Sequence, residues 1–335
     1  MVWLGFAACV AIIFFSGTRL AQYGDAIAER TGLGRIWIGL VAIAIVTSIP
    51  ELVTSISAVT LVKSPDLAVG NVLGSCTFNL TLLALADVMY RPAPILSQIS
   101  SRHILSVIFG IVMLGLVAAG MLLGGFAPPL PGKINVVSVV IVVFYLAGIW
   151  WIYRSARRHP TQVVEVTLPG EKGLSRKTMY LRFALAAAAI AGGSIWLSLV
   201  GNEISATYGW HSGFVGSLFV AVTTSLPELV VTVAAVRLSA LDMAAANIFG
   251  SNMFDLVIIS AADFAYRRGT IFSSISSIHL VTIASAVAMN VIVIAALRLR
   301  PKYDKHIFRR WYDAPLVAIY VFGMIAVYQG YILPI

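Results

Sequence analysis

Ten apolar runs, each about twenty residues or longer, set the limits on what this chain can fold into. They fall at roughly 2–23, 34–62, 66–90, 103–124, 134–153, 179–200, 212–237, 242–265, 276–298 and 313–333. One helical crossing of a bilayer takes about 20 mostly apolar residues. The runs do not alternate with period two, as the strands of a membrane barrel do. They predict an all-α integral membrane protein with ten transmembrane helices. Charge agrees with this. The 335 residues include 23 Lys and Arg and 14 Asp and Glu, 11% in all, against about 25% in a soluble domain. Cys9 and Cys76 both lie in apolar runs, which argues against a disulfide framework or a thiolate metal centre. No basic residue precedes the first run, so no cleavable leader is expected.

The basic residues give the chain an orientation. With ten crossings, nineteen of the 23 Lys and Arg fall on one side; Lys63, Lys133, Arg267 and Arg268 fall on the other. The richer side is expected in the cytoplasm and both termini outside, in a prokaryotic-type plasma (inner) membrane. The net charge of +9 thus reads as an orientation signal and a contact with membrane lipid, with no nucleic acid as partner. The polar stretch 154–178 is expected to be a cytoplasmic loop. It divides a first five-helix unit, 1–153, from a second, 179–335.

The two units repeat one another. Thr47-Ser48-Ile49-Pro50-Glu51-Leu52-Val53 matches Thr224-Ser225-Leu226-Pro227-Glu228-Leu229-Val230 at an offset of 177. Asn71-Val72-Leu73-Gly74-Ser75-Cys76-Thr77-Phe78-Asn79-Leu80 matches Asn247-Ile248-Phe249-Gly250-Ser251-Asn252-Met253-Phe254-Asp255-Leu256 at an offset of 176. Five crossings are an odd number, so the second unit enters the membrane from the opposite face. Inverted repeats of this kind build many secondary transporters, with the site near the midplane between the repeats.

Polar groups inside these repeats mark a site. Glu51 and Glu228 lie deep in apolar runs, where an ionisable group is expensive and normally faces a partner or a wet cavity. Pro50 and Pro227 precede them and are expected to kink their helices, freeing carbonyls one turn back. Thr47, Ser48, Thr224 and Ser225 add hydroxyls within the same turn. Asn71, Ser75 and Asn79 fall four residues apart on one helical face, and Asn247, Ser251 and Asp255 repeat the ladder. Helix packing competes as the role of Asn71 and Asn247. Glu51, Glu228 and Asp255 are expected in one place among neutral oxygens. Hard oxygen sets suit Ca²⁺, Mg²⁺, Na⁺ or K⁺. Three carboxylates balance one Ca²⁺ or up to about three monovalent ions, which is an electrostatic basis for exchange.

These motifs resemble the cation/Ca²⁺ antiporter superfamily on its Na⁺/Ca²⁺ exchanger side, over essentially the whole chain. The resemblance implies a secondary antiporter, not an enzyme. It moves Ca²⁺ against Na⁺ by alternating access and carries no cofactor. Glu51 and Glu228 become the central Ca²⁺ ligands. Thr47, Ser48, Thr224, Ser225, Ser75, Ser251, Asn79 and Asp255 complete Ca²⁺ and Na⁺ sites, with the backbone carbonyls of Ala44 and Ala221. The first and sixth spans would be a long tilted pair that slides. The chain departs from the family where Val46 and Thr223 replace a glycine and where Cys76 replaces an asparagine. Gly74 follows Gly70-Asn71-Val72-Leu73 where H⁺/Ca²⁺ exchangers carry Glu, which favours sodium coupling. Coupling to H⁺ or K⁺, movement of Mg²⁺, and a cation channel are the alternatives. An intramembrane protease is disfavoured, because no histidine matches the buried serines.

Other polar residues have simpler expected roles. Asp66 and Asp242 precede helices as N-caps. Asp87 and Asp263 pair with Arg91 and Arg267 near helix ends. Glu203 and His211 lie solvated in an outer loop.

Overall fold

The computed structural model describes residues 1–31, 43–90, 92–123, 133–158, 175–299 and 310–332. The described residues form helices and no strand. In chain order these are α1 (Val2–Thr31), α2 (Ile43–Thr47) and α3 (Ile49–Ser57), the last running into a π turn at Ala58–Val62. Then come α4 (Pro65–Met89), short α5 (Ile95–Gln98), α6 (His103–Leu123), α7 (Val136–Arg158) and α8 (Arg176–Tyr208). The short α9 (Ser212–Val215) continues through a π turn at Gly216–Val220 into α10 (Ala221–Thr224). Last come α11 (Leu226–Arg237), α12 (Leu241–Ala265), a 3₁₀ turn at Ile271–Ser273, α13 (His279–Leu299) and α14 (Asp313–Ile332).

Among the described residues, seven helices are long and apolar enough to cross a membrane, and eight when Ser212–Thr224 and Leu226–Arg237, bent by 44°, are taken as one span. Ile49–Val62 and Val136–Ile152 are apolar but shorter. Residues 34–42 of the second expected span and 159–174 of the expected loop lie outside the described residues. Three helices outrun the apolar runs that announce them. α1 reaches Thr31, α7 reaches Arg158 and α8 reaches Tyr208. At 1.5 Å per residue the 30-residue α1 and 33-residue α8 are about 45–50 Å long. That exceeds a hydrocarbon core of about 30 Å, so both helices run on beyond the length that a single crossing needs. α1 and α8 pack along each other.

Inside this pair, α4 and α12 are the most buried of the spanning helices. They pack on each other, with α6 lying against α12, α13 against α4, α6 and α13 against one another, α7 against α12 and α14 against α4. One contact fixes how closely the chain approaches itself. A side-chain carbon at Gly74 would sit 2.6 Å from Ser217 Cα and 2.8 Å from Ala221 Cβ. α4 therefore lies directly against the backbone of the Gly216–Val220 turn, an approach that only glycine permits.

The prolines begin helices where a kink was expected. Pro50 and Pro227 stand in the first turns of α3 and α11, where a missing N–H costs nothing. The helices break one residue pair earlier, at Ser48 (φ −87°, ψ 12°) and Ser225 (φ −85°, ψ 10°). The two breaks have nearly the same geometry. Residues Lys63 and Ser239, at φ 62° and 58°, turn the chain toward α4 and α12 in the same left-handed way. The extra residue between the motifs of the first unit is taken up in the wide turn Ala58–Val62; α11 runs as regular α-helix over the corresponding stretch.

The outer aspartates cap helices other than their own. Asp66 Oδ1 accepts from Ser276 N at 2.7 Å and lies 3.0 Å from His279 Nε2, at the start of α13. Asp242 Oδ1 accepts from Ser100 N at 2.7 Å and lies 3.0 Å from His103 Nε2, at the start of α6. The expected caps of α4 and α12 are thus clamps between helices. His211 is half-buried. It accepts from Gly213 N at 3.1 Å and lies 4.0 Å from Asp66, so it starts α9 instead of standing free in solvent. Asp87 is held by Ile95 N, by Tyr312 Oη at 2.8 Å and by Arg310 Nε at 3.2 Å. Asp263 accepts from Ile271 N, Asn135 N and Ser138 Oγ at 2.7–2.8 Å. Arg310 thus takes the place expected of Arg91, which lies outside the described residues. Backbone N–H groups take the place expected of Arg267.

Candidate functional site

All twelve residues singled out above are buried. The breaks at Ser48 and Ser225 bring them together, because each break turns its hydroxyl toward the opposite unit. Ser225 Oγ donates to Glu51 Oε1 at 2.9 Å, and Ser48 Oγ donates to Glu228 Oε1 at 3.0 Å. Each glutamate also receives a serine from the ladder of its own unit. Ser75 Oγ lies 3.5 Å from Glu51 Oε1, and Ser251 Oγ lies 3.2 Å from Glu228 Oε1. The four bonds form a crossed, two-fold pattern.

The threonines and carbonyls complete it. Thr47 Oγ1 lies 3.2 Å from Ala44 O and 3.4 Å from Ser251 Oγ. Thr224 Oγ1 lies 3.2 Å from Ala221 O, which Ser75 Oγ also approaches at 3.5 Å. Asn71 and Asn247 act as ties between helices. Their Nδ2 groups reach Glu51 O and Glu228 O, each at 3.4 Å, and continue to Ser55 and Thr232.

The remaining oxygens have no hydrogen-bond partner. They are Glu51 Oε2, Glu228 Oε2, both carboxylate oxygens of Asp255 and Asn79 Oδ1. A buried acceptor left unpaired costs about 1–3 kcal/mol, more when charged, and a cation relieves several such groups at once. The donor set is carboxylate, amide, hydroxyl and carbonyl, which fits a hard ion. Glu51, Glu228 and Asp255 lie within electrostatic reach of one another. They do not close on one point as expected. Among the described residues, no group of three or more His, Cys, Asp or Glu side chains is placed to hold a metal ion. Like charges repel in a medium of low dielectric, and here serine hydroxyls sit on both glutamates.

Asn252 belongs to the same shell and was not expected there. Its amide bridges Asn79 and the backbone of Cys76. The signal that could have found it is its place in the Gly-Ser-x motif, opposite Cys76 in the repeat.

Broken helices that cross inside an apolar bundle, with paired buried carboxylates at the breaks, define a membrane transporter of cations. The model of the family described as sodium/calcium exchanger protein matches residues 1–154 and 178–329. The chain belongs to that family, a family of transporters, not enzymes. Among its relatives, Inner membrane protein YrbG of Escherichia coli is 29% identical over 254 residues, 74% of either chain. Sodium/calcium exchanger MaX1 of Methanosarcina acetivorans is 25% identical over 259 residues, 70% of this chain and 74% of that one. A solved structure of the sodium-calcium exchanger NCX_Mj, soaked with Na⁺ and Sr²⁺, superposes with a TM-score of 0.62 at 20% identity. It covers 97% of this chain and 99% of that one, and so shares the fold.

Proposed function

We propose that this protein exchanges Ca²⁺ for Na⁺ across a plasma membrane by alternating access. It crosses ten times as two inverted five-helix repeats, 1–153 and 179–335, joined by a cytoplasmic loop at 154–178, with both termini outside. The observation that carries this is the crossed pair of serine–glutamate bonds, which leaves one carboxylate oxygen of each glutamate unpaired, as are both carboxylate oxygens of Asp255 and Asn79 Oδ1. Glu51 and Glu228 are the central ligands of Ca²⁺. Asp255, Asn79, Ser75, Ser251, Thr47, Ser48, Thr224, Ser225 and the carbonyls of Ala44 and Ala221 supply the rest of the Ca²⁺ and Na⁺ shells. Ca²⁺ takes six to eight oxygens in flexible geometry, which a mixed set of acids and neutral oxygens can provide. Na⁺ ions entering the same oxygens neutralise the same carboxylates, so either cargo relieves the site and the two compete. MaX1 is named a sodium/calcium exchanger, which supports the same pairing here.

Purified protein in vesicles loaded with Na⁺ is expected to take up ⁴⁵Ca²⁺ when external Na⁺ is replaced by choline. Uptake driven equally by K⁺ or by a pH gradient alone would assign another coupling ion. Currents without counter-ion dependence would make the protein a channel.

A further inference from the structure

An amide in a cation site has a difficulty that a carboxylate does not. Only its oxygen can ligate a cation; its NH₂ repels one. Asn79 lies one helical turn beyond Ser75, on the face of α4 that meets Glu51. Asn79 Nδ2 donates to Asn252 Oδ1 at 3.1 Å, and Asn252 Nδ2 donates to Cys76 O at 3.1 Å. The second bond settles which end of the Asn252 amide faces Asn79, since the backbone carbonyl accepts only from the NH₂. The Asn79 NH₂ is thereby committed to Asn252, and Asn79 Oδ1 is left buried and unpartnered.

The other unit lacks this arrangement. Asp255 stands where the repeat places Asn79, and Cys76 stands where it places Asn252, both at the offset of 176. A carboxylate offers an acceptor whichever way it turns, so Asp255 needs no partner to orient it. A thiol is a poor partner for an amide. The asymmetries at 79/255 and 76/252 are therefore one asymmetry: the unit that carries the amide ligand faces the residue that can hold it.

From this geometry we infer that Asn252 is a positioning residue, which holds the Asn79 amide with its oxygen turned to the transported cation. The inference rests on the exchange reading above. Partners that orient a metal ligand typically govern 10–100-fold in affinity.

The test is a double-mutant cycle on the purified full-length protein. Ca²⁺ affinity is read by titration calorimetry and exchange by vesicle uptake. Asn252→Ala is expected to raise the Kd for Ca²⁺ roughly tenfold, and Asn252→Leu, which keeps the volume, to do the same. In an Asn79→Asp background, where the ligand has no wrong face, the same substitutions are expected to change Kd less than about twofold. Equal losses in both backgrounds would show that Asn252 only packs helices and would overturn the assignment. So would an unchanged Kd in Asn252→Ala, or an Asn79→Asp protein that no longer binds Ca²⁺. A wild-type protein that neither binds nor exchanges Ca²⁺ fails before any substitution is made. That result identifies the exchange reading as the one at fault and removes this inference with it.

Discussion

At the scale of single residues, the proposed site turns on how each glutamate divides its oxygens. One oxygen takes serine hydroxyls from both units, and the other has no hydrogen-bond partner. A glutamine at either position keeps the size but gives up the charge and half of the acceptors. Glu51→Gln and Glu228→Gln are each expected to abolish Na⁺-driven ⁴⁵Ca²⁺ uptake. Substantial uptake by either variant would remove that residue from the site. Ser48→Ala and Ser225→Ala each take away a hydroxyl that donates to a glutamate carboxylate and, in the proposed site, a ligand oxygen. A hydrogen bond to a charged group is worth about 1.5–3 kcal/mol, or roughly ten- to a hundredfold in a binding constant. Each is expected to shift the Ca²⁺ dependence of uptake by that amount and leave the maximal rate near wild type.

At the scale of elements, the aspartate–histidine clamps fix the two ladder helices at their starts. Asp66 ties α4 to α13, and Asp242 ties α12 to α6. Asp66→Ala or Asp242→Ala strands a backbone N–H and a histidine at once. Asp66→Ala is expected to lower stability by roughly 1–3 kcal/mol and Asp242→Ala, whose carboxylate is more exposed to water, by less, each seen as a lower Tm of the purified protein in detergent. A Tm unchanged in both would make the clamps incidental. These links also show where the sequence stops being legible. The apolar runs and the doubled Thr-Ser-x-Pro-Glu motif announce the helices and the acids, because lipid imposes hydrophobicity and a buried carboxylate is conspicuous against it. Nothing local announces that Asp66 will cap a helix more than two hundred residues away, or that Asn252 will reach Asn79. Those pairings depend on the register of helices packed in three dimensions. The extended ends of α1 and α8 escape for a related reason, since polar residues beyond the apolar run neither require nor forbid further helix.

At the scale of the whole molecule, the uneven distribution of Lys and Arg gives a testable orientation. In a cysteine-free background (Cys9→Ser, Cys76→Ser), a cysteine placed at Lys133 is expected to react in intact cells with a membrane-impermeant maleimide. One placed at Glu165 is expected to react only after permeabilisation. The opposite result at both sites would invert the protein in the membrane. The crossed hydrogen bonds bear on something else, the history of such a chain. Two identical halves could complete each other as these do, each lending a serine to its partner's glutamate, and such a protein could begin as a pair of separate subunits. This one could not return to that condition. A pair of first halves would place asparagine in both ladders and leave no third acid. A pair of second halves would place four acids around the same oxygens. With Asn79 bonded to Asn252, and Asp255 and Cys76 standing at the matching places of the repeat, the two copies have come to differ, and the covalent join between them guarantees that one of each is always present.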